Sequence, residues 1–249
     1  MTVTIEEMGS ARVVVWDRQR RRNAWTVETI DAIADSIAAA RSDEGVRCIV
    51  ARGAGEHFSS GDDLHAALGA DATEWAATVA AFQRLTRVTL AAPVPVLAAI
   101  DGVCIGGALE FAASCDLRLG TDRARFGTPE VGIGLVATNA GTLLLPEVLG
   151  ETAARELLLS GELRDCAWAR ERGFLTEVCA PERLDERVAA WVAAFDRTSR
   201  AAVAATKAML NARHGHLLEE AMEREERWCV DLFDGRDARV ALEAFAKGR

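Results

Sequence analysis

The apolar positions change period along the chain. The β-branched run Arg12 to Trp16 alternates with the weaker pattern before it, which predicts a hairpin of strands Thr2 to Glu7 and Ala11 to Asp17 around Gly9 and Ser10. Ile30, Ile33 and Ile37 then recur at helical spacing, with Thr26 as N-cap and an end near Arg41. Val46 to Ala51 reads as a short buried strand. Thr73 to Leu90 is again helical, and Val94-Pro95 leads into a strand from Val96 to Ile100. The segment GVCIGGALEFAAS, Gly102 to Ser114, predicts a buried helix throughout. Leu117 to Leu119 and Arg125-Phe126 read as strands. Beyond Asn139 the pattern is helical only: roughly 140–149, 151–159, 165–172, 184–196, 199–212 and 216–245. Strands alternating with helices predict an α/β core. The terminal helices carry a large apolar face (Leu217, Leu218, Met222, Trp228, Leu232, Phe233) that can cap that core or join subunits.

Composition narrows the function. The 249 residues are half apolar, which suits one large domain, or one domain with a smaller appendage. A net charge of −9 argues against a nucleic-acid partner, which needs a basic face, and against an anionic membrane surface. The acidic N-terminus lacks the basic and apolar regions of a signal peptide. The most apolar run, Leu90 to Ile100, is short and broken by Pro93 and Pro95. A soluble, cytoplasmic protein is expected. The six cysteines show no CxxC spacing, and His214 and His216 gather no further ligand types, so no metal is expected. No phosphate-cradling glycine motif is present.

Two glycine-rich loops carry candidate chemistry. In FSSGDDL, Gly61 permits a tight turn, and Asp62 and Asp63 suit the first turn of a helix. Gly106 and Gly107 open a helix whose first amides have no internal acceptor. Amides from two such loops can converge on one carbonyl oxygen, as in an oxyanion hole. Glu110 is the one charge between Gly102 and Ser114, and it lies a single turn beyond Gly107. Burial there raises a carboxyl pKa and makes an acid or base. A solvated glutamate or a structural ion pair is the plainer alternative. A second carboxylate, Glu130, follows Pro129 in FGTPEVGIG among apolar neighbours. Paired carboxylates perform general acid–base work.

These segments resemble the crotonase (enoyl-CoA hydratase/isomerase) superfamily. RRNAW at 21–25 is similar to its RNAL-type signature, FSSGDDL at 58–64 to its F-S-A-G-A-D-L loop, and residues 101–134 to its longest signature. The closing EAFAKGR is similar to its Phe/Lys segment. The resemblance implies a spiral of repeated ββα units over residues 1–195 and a helical trimerisation region over 196–249. It implies a trimer or a dimer of trimers acting on acyl-CoA thioesters, with coenzyme A as part of the substrate and no separate cofactor. It implies oxyanion-hole amides at Asp62 and Gly107, and catalytic carboxyls at Glu110 and Glu130. It implies CoA or substrate contacts at Arg22, Ala24, Ser60, Asp63, Leu64, Gly106, Pro129 and Lys247. Retention of both glutamates favours a 2-enoyl-CoA hydratase. A double-bond isomerase, a retro-aldol lyase, a decarboxylase and a non-catalytic acyl-CoA-binding protein are the alternatives. Two departures stand out. Asp62 replaces the usual Ala, and its side chain is expected to point away from the thioester. LVATNAGT at 135–142 replaces the family's P-G-x-G-G-T and brings in polar Thr138 and Asn139.

Overall fold

The structure, a computed structural model, describes residues 2–247. The expected hairpin is present, with β1 (Thr2–Met8) antiparallel to β2 (Ala11–Asp17). From β2 onward every neighbour in the main sheet is parallel: β3 (Cys48–Gly53), β4 (Val96–Ile100), β6 (Leu117–Thr121) and β9 (Glu177–Cys179), in the order β1-β2-β3-β4-β6-β9. All five residues of β4 are buried, which is why its sequence is continuously apolar rather than alternating. A second sheet pairs β5 (Val103–Ile105) parallel with β7 (Arg125–Gly127), and β7 antiparallel with the two-residue β8 (Arg164–Asp165).

The two sheets define the spiral. Strands β3, β4 and β6 of the main sheet are each followed by a stretch in the second layer and then by helix. After β3 comes the extended stretch 58–60, whose Ser59 bridges to Cys104 of β5. It leads to α2 (Leu64–Ala67) and α3 (Ala72–Leu90). After β4 come β5 and α4 (Gly107–Ser114). After β6 come β7, a 3-10 turn (Pro129–Ile133) and α5 (Gly141–Leu149). The expected ββα spiral is therefore the architecture.

Helix α1 (Val27–Ala38) buries Ile30, Ile33 and Ile37 completely, and a 3-10 turn carries it on to Arg41. Between helices and sheet lies an aromatic cluster in which Trp16 meets Trp25 at 5.1 Å and Phe58 at 4.9 Å between ring centroids. Each such buried ring contributes roughly 1.5–3 kcal/mol. Helix α8 (Leu184–Asp196) covers the opposite sheet face through Leu184, Val188 and Val192.

Several elements differ from expectation. Gly102 to Ser114 is not one helix: β5 occupies its first part, and the turn at Gly106, with φ 61° and ψ −141°, begins the helix only at Gly107. The strand expected at 46–51 runs from Cys48 to Gly53. The span 216–245 splits into α10 (Leu217–Phe233) and α11 (Arg236–Ala246) at Asp234-Gly235. Strands β8 and β9 are too short for any periodicity to reveal. The remaining helices are α6 (Glu151–Ser160), α7 (Cys166–Glu171) and α9 (Arg200–Asn211).

The C-terminal helices share cores with what precedes them. Met222 enters the main core, while Cys229, Phe233, Ala238 and Leu242 pack with Ala67, Trp75 and Val79 of α2 and α3. On α9, Lys207 is 5% exposed and reaches Asp116 at 2.6 Å. Among the described residues, the C-terminal helices are thus tied into the preceding core.

Candidate active site

The site is built where the second layer meets the start of α4. Asn23 takes a left-handed conformation, φ 57°, and is fully buried. Its side chain accepts from the Arg18 amide at 2.9 Å and donates to the carbonyls of Ala54 (2.9 Å) and His57 (2.7 Å). That ties the RRNAW turn to the loop after β3. The Trp25 amide donates to Gly61 O and the Asp63 amide to Trp25 O, both at 2.8 Å. Ser60 donates from its amide to Arg22 O at 2.9 Å. The residues expected around the CoA loop therefore lie side by side: Arg22, Ala24, Ser60 and Asp62 to Leu64.

Gly61 brings this loop against α4. Its φ is +79°, and a Cβ there would lie 2.8 Å from Ile105 O and 3.3 Å from the Gly107 nitrogen. Only glycine allows that approach. The Gly107 amide, at the first position of α4, has no acceptor among the described residues. The Asp62 amide has only its own carboxylate as partner. Both expected oxyanion donors thus flank one junction between the loops.

Glu130 lies at the same junction, and Glu110 lies behind it, outside the cavity lining but near enough to feel the charges of Glu130 and Asp62. Glu110 is 1% exposed and has no cation beside it; the Thr138 amide donates to its two oxygens at 3.1 and 3.4 Å. It is neither solvated nor ion-paired. Glu130, in the 3-10 turn, sets Oε1 where a Gly106 Cβ would lie only 3.1 Å away, and its buried Oε2 has no hydrogen-bond partner. A cavity of about 50 Å³ opens here, lined by Ser60, Asp62, Leu64, Trp75, Gly106, Pro129, Glu130 and Thr138 among others. A wider cleft of about 350 Å³ adjoins it and shares Asp62 and Trp75.

Burial dominates the electrostatics. It pushes Glu130 up to about 8, with a further push from the Asp62 carboxylate. It pushes Glu110 well up, and so do the charges of Glu130, Glu225 and Asp62; the Thr138 hydrogen bond opposes them. Asp62 rises to about 7, chiefly through desolvation. Carboxyls this close titrate together, so the site keeps protons at neutral pH.

Four expected residues have placements that bear on their roles. The Asp62 side chain does not turn away: the residue lines the cavity and its charge raises both glutamates. Asp63 does not offer its carboxylate to a ligand; Arg18 and the His65 amide, at 3.1 Å, take both oxygens. Ala24 is buried, with its amide and carbonyl bonded to Arg21 and Arg18. Lys247 is exposed at the end of α11, 3.8 Å from Glu243, where its ammonium faces away from this chain's own site. The last two residues of EAFAKGR lie outside the described residues. Sequence reasoning also missed Glu225 on α10, which is 4% exposed and bonded to the 140–142 segment. An isolated glutamate in an acidic helix gives no signal of its own.

No group of three or more metal-ligating side chains occurs among the described residues, and no described helix is long and apolar enough to cross a membrane.

Comparison with known proteins agrees with this geometry. A family model described as enoyl-CoA hydratase/isomerase matches residues 7–249. The chain is 28% identical to a crotonyl-CoA hydratase of Syntrophomonas wolfei over 99% of its own length and 95% of the relative's. It superposes on an enoyl-CoA hydratase/isomerase from Xanthobacter autotrophicus Py2 with a TM-score of 0.89 at 29% identity, covering 98% of this chain and 93% of the other. An enoyl-CoA hydratase from Mycobacterium avium subsp. paratuberculosis K-10 gives a TM-score of 0.90 at 26% identity, covering 99% and 96%. With spiral, glycine junction and paired carboxyls in one chain, the protein belongs to the enoyl-CoA hydratase/isomerase family, whose members act on acyl-CoA thioesters.

Proposed function

We propose that the protein is a 2-enoyl-CoA hydratase, adding water across the C2=C3 bond of the thioester. The observation that carries this reading is that Glu130 lines the cavity at the junction where the Asp62 and Gly107 amides lack external acceptors, with the Glu110 carboxyl buried close enough behind it for the two charges to act on each other. The thioester oxygen accepts from these two amides, which draws electron density from the double bond and makes C3 electrophilic. Each such donor is worth about 3–4 kcal/mol of barrier. Glu110, held as an acceptor by the Thr138 amide, orients water and takes its proton during attack at C3. Glu130 delivers a proton to C2; burial raises both carboxyls, and the Thr138 hydrogen bond, which favours the charged form of Glu110, divides the roles. The pair exchanges roles in the reverse direction.

Coenzyme A enters with the substrate. Arg20, Arg21 and Arg22 are exposed and form no ion pair among the described residues, so they suit its phosphates beside Ser60. The exposed apolar side chains Met209, Leu210, Trp228 and Val240, each at least 59% exposed, suit a trimer or dimer of trimers. A cytoplasmic location belongs to the same proposal.

The test follows loss of the conjugated thioester absorbance of a short trans-2-enoyl-CoA. Wild type consumes it, and Glu110→Gln and Glu130→Gln each lose at least about a hundredfold. Full activity in both variants overturns the assigned roles. Product analysis with a 3-enoyl-CoA separates hydration from double-bond migration.

A further inference from the structure

Glu225 is a buried carboxylate with no ion pair among the described residues. From α10 it accepts three hydrogen bonds: from the Ala140 amide at 2.6 Å, the Thr142 amide at 2.8 Å and the Thr142 hydroxyl at 2.6 Å. The two amides straddle Gly141. A Cβ on Gly141 would fall 2.1 Å from Glu110 Oε1, so this backbone is packed directly against the Glu110 carboxyl. Ala140 holds a left-handed conformation, φ 68°, although it is not glycine. Such a conformation persists only where its surroundings over-determine it. Gln83 makes a second link between α10 and this loop, donating to Thr138 O at 3.0 Å and to Met222 O at 2.9 Å. The same loop supplies the Thr138 amide that holds Glu110.

We infer that Glu225 is a positioning residue for Glu110: by clamping the peptides on either side of Gly141, it fixes the loop that orients the Glu110 carboxyl. Within LVATNAGT, Thr142 anchors the clamp and the Thr138 backbone amide delivers its effect. Glu225 also acts on Glu110 through charge. The groups facing Glu110 are Glu130 from the 3-10 turn, Asp62 from the glycine loop, and Glu225 with the Cys229 thiol from α10; Arg224 faces Glu225.

The kinetic part of the test rests on the hydratase reading. Glu225→Gln keeps the side-chain shape but turns one of two required acceptors into a donor. Its kcat on a short trans-2-enoyl-CoA should fall about ten- to thirtyfold with KM within about twofold. The pH–rate limb of Glu110 should move to lower pH, because a neighbouring negative charge is gone. The infrared carboxyl band of Glu110, assigned by its absence in Glu110→Gln, should titrate at lower pH in Glu225→Gln. This band needs no turnover. A wild-type protein without hydratase activity overturns the hydratase reading and leaves the band to test the clamp. If Glu225→Gln does not fold, Thr142→Val removes one clamp bond and should lower kcat about threefold at constant KM. Unchanged kcat and an unchanged Glu110 band, in whichever variant folds, overturn the inference.

Discussion

The Thr138 amide donates to both carboxylate oxygens of Glu110, at 3.1 and 3.4 Å, so the loop that departs most from the family pattern is the one holding the proposed base. A two-oxygen acceptor role suits a carboxylate that must keep one orientation while water is bound against it. The first prediction probes the backbone behind it.

Gly141→Ala should lower kcat/KM by on the order of a hundredfold. Its new methyl would meet Glu110 Oε1 at 2.1 Å, and a displacement of about 1 Å is enough for that loss. Gly141 is helical, so alanine suits its backbone and the damage should fall on the site. Steady-state hydration rates alongside thermal melts check this; a large loss of Tm with normal kcat would contradict it.

Asp62→Asn should stabilise the protein at pH 8 and leave it unchanged near pH 3. The folded carboxyl, at about 7, lies above its ordinary value of 3.8, so the fold favours the protonated form. Wild type therefore loses stability as pH rises from about 4 through 7, after which the penalty is constant. Solvent in the cavity reduces it to about 1–2 kcal/mol, below the roughly 4 kcal/mol that three full units imply. Melting curves across this range measure it.

Lys207→Ala should destabilise the protein by about 1–3 kcal/mol, below the roughly 3–5 kcal/mol of a fully buried pair because the Asp116 side chain left behind is 27% exposed. Lys207 Nζ reaches Asp116 at 2.6 Å and also donates to Thr89 O at 2.9 Å and Val94 O at 3.3 Å. The Asp116 carboxylate in turn accepts from the Val96 amide at 2.7 Å, so the loss would reach the start of β4. Denaturant unfolding reads the change directly.

Trp228→Glu should shift the assembly toward monomer. Trp228 is 61% exposed on α10, and a charge there opposes burial against another copy. Light scattering at several concentrations tests it, and an unchanged mass would remove this face from the proposed interface.

Much of the fold is legible in local pattern. The Ile30, Ile33, Ile37 spacing places α1, and the unbroken apolar run of β4 marks a strand buried on both faces. Asp63 caps α2 through the His65 amide, as an acidic residue before a helix should. Pattern fails where long-range contact decides. Val103–Ile105 is apolar enough for a helix, yet it becomes β5 because residues 58–60 and β7 offer hydrogen-bond partners on either side. The break at Asp234-Gly235 lets α11 fold back, with Phe245 against His65 at 4.8 Å between rings.

The site divides in the same way. By itself the sequence determined which residues are glycine where side chains are forbidden, and which carboxyls lie among apolar neighbours. Those features are local: Gly61 and Gly106 are set by φ, and Glu110 by its spacing from Gly107. Only the tertiary structure decided what faces what. It turned Asp62 into the cavity, took Asp63 for Arg18, left Lys247 in solvent and brought Glu225 from more than eighty residues away onto the Gly141 backbone. Orientation and electrostatic coupling arise from elements that meet only after folding, and desolvation, the main cause of every raised carboxyl here, belongs to the packed chain alone.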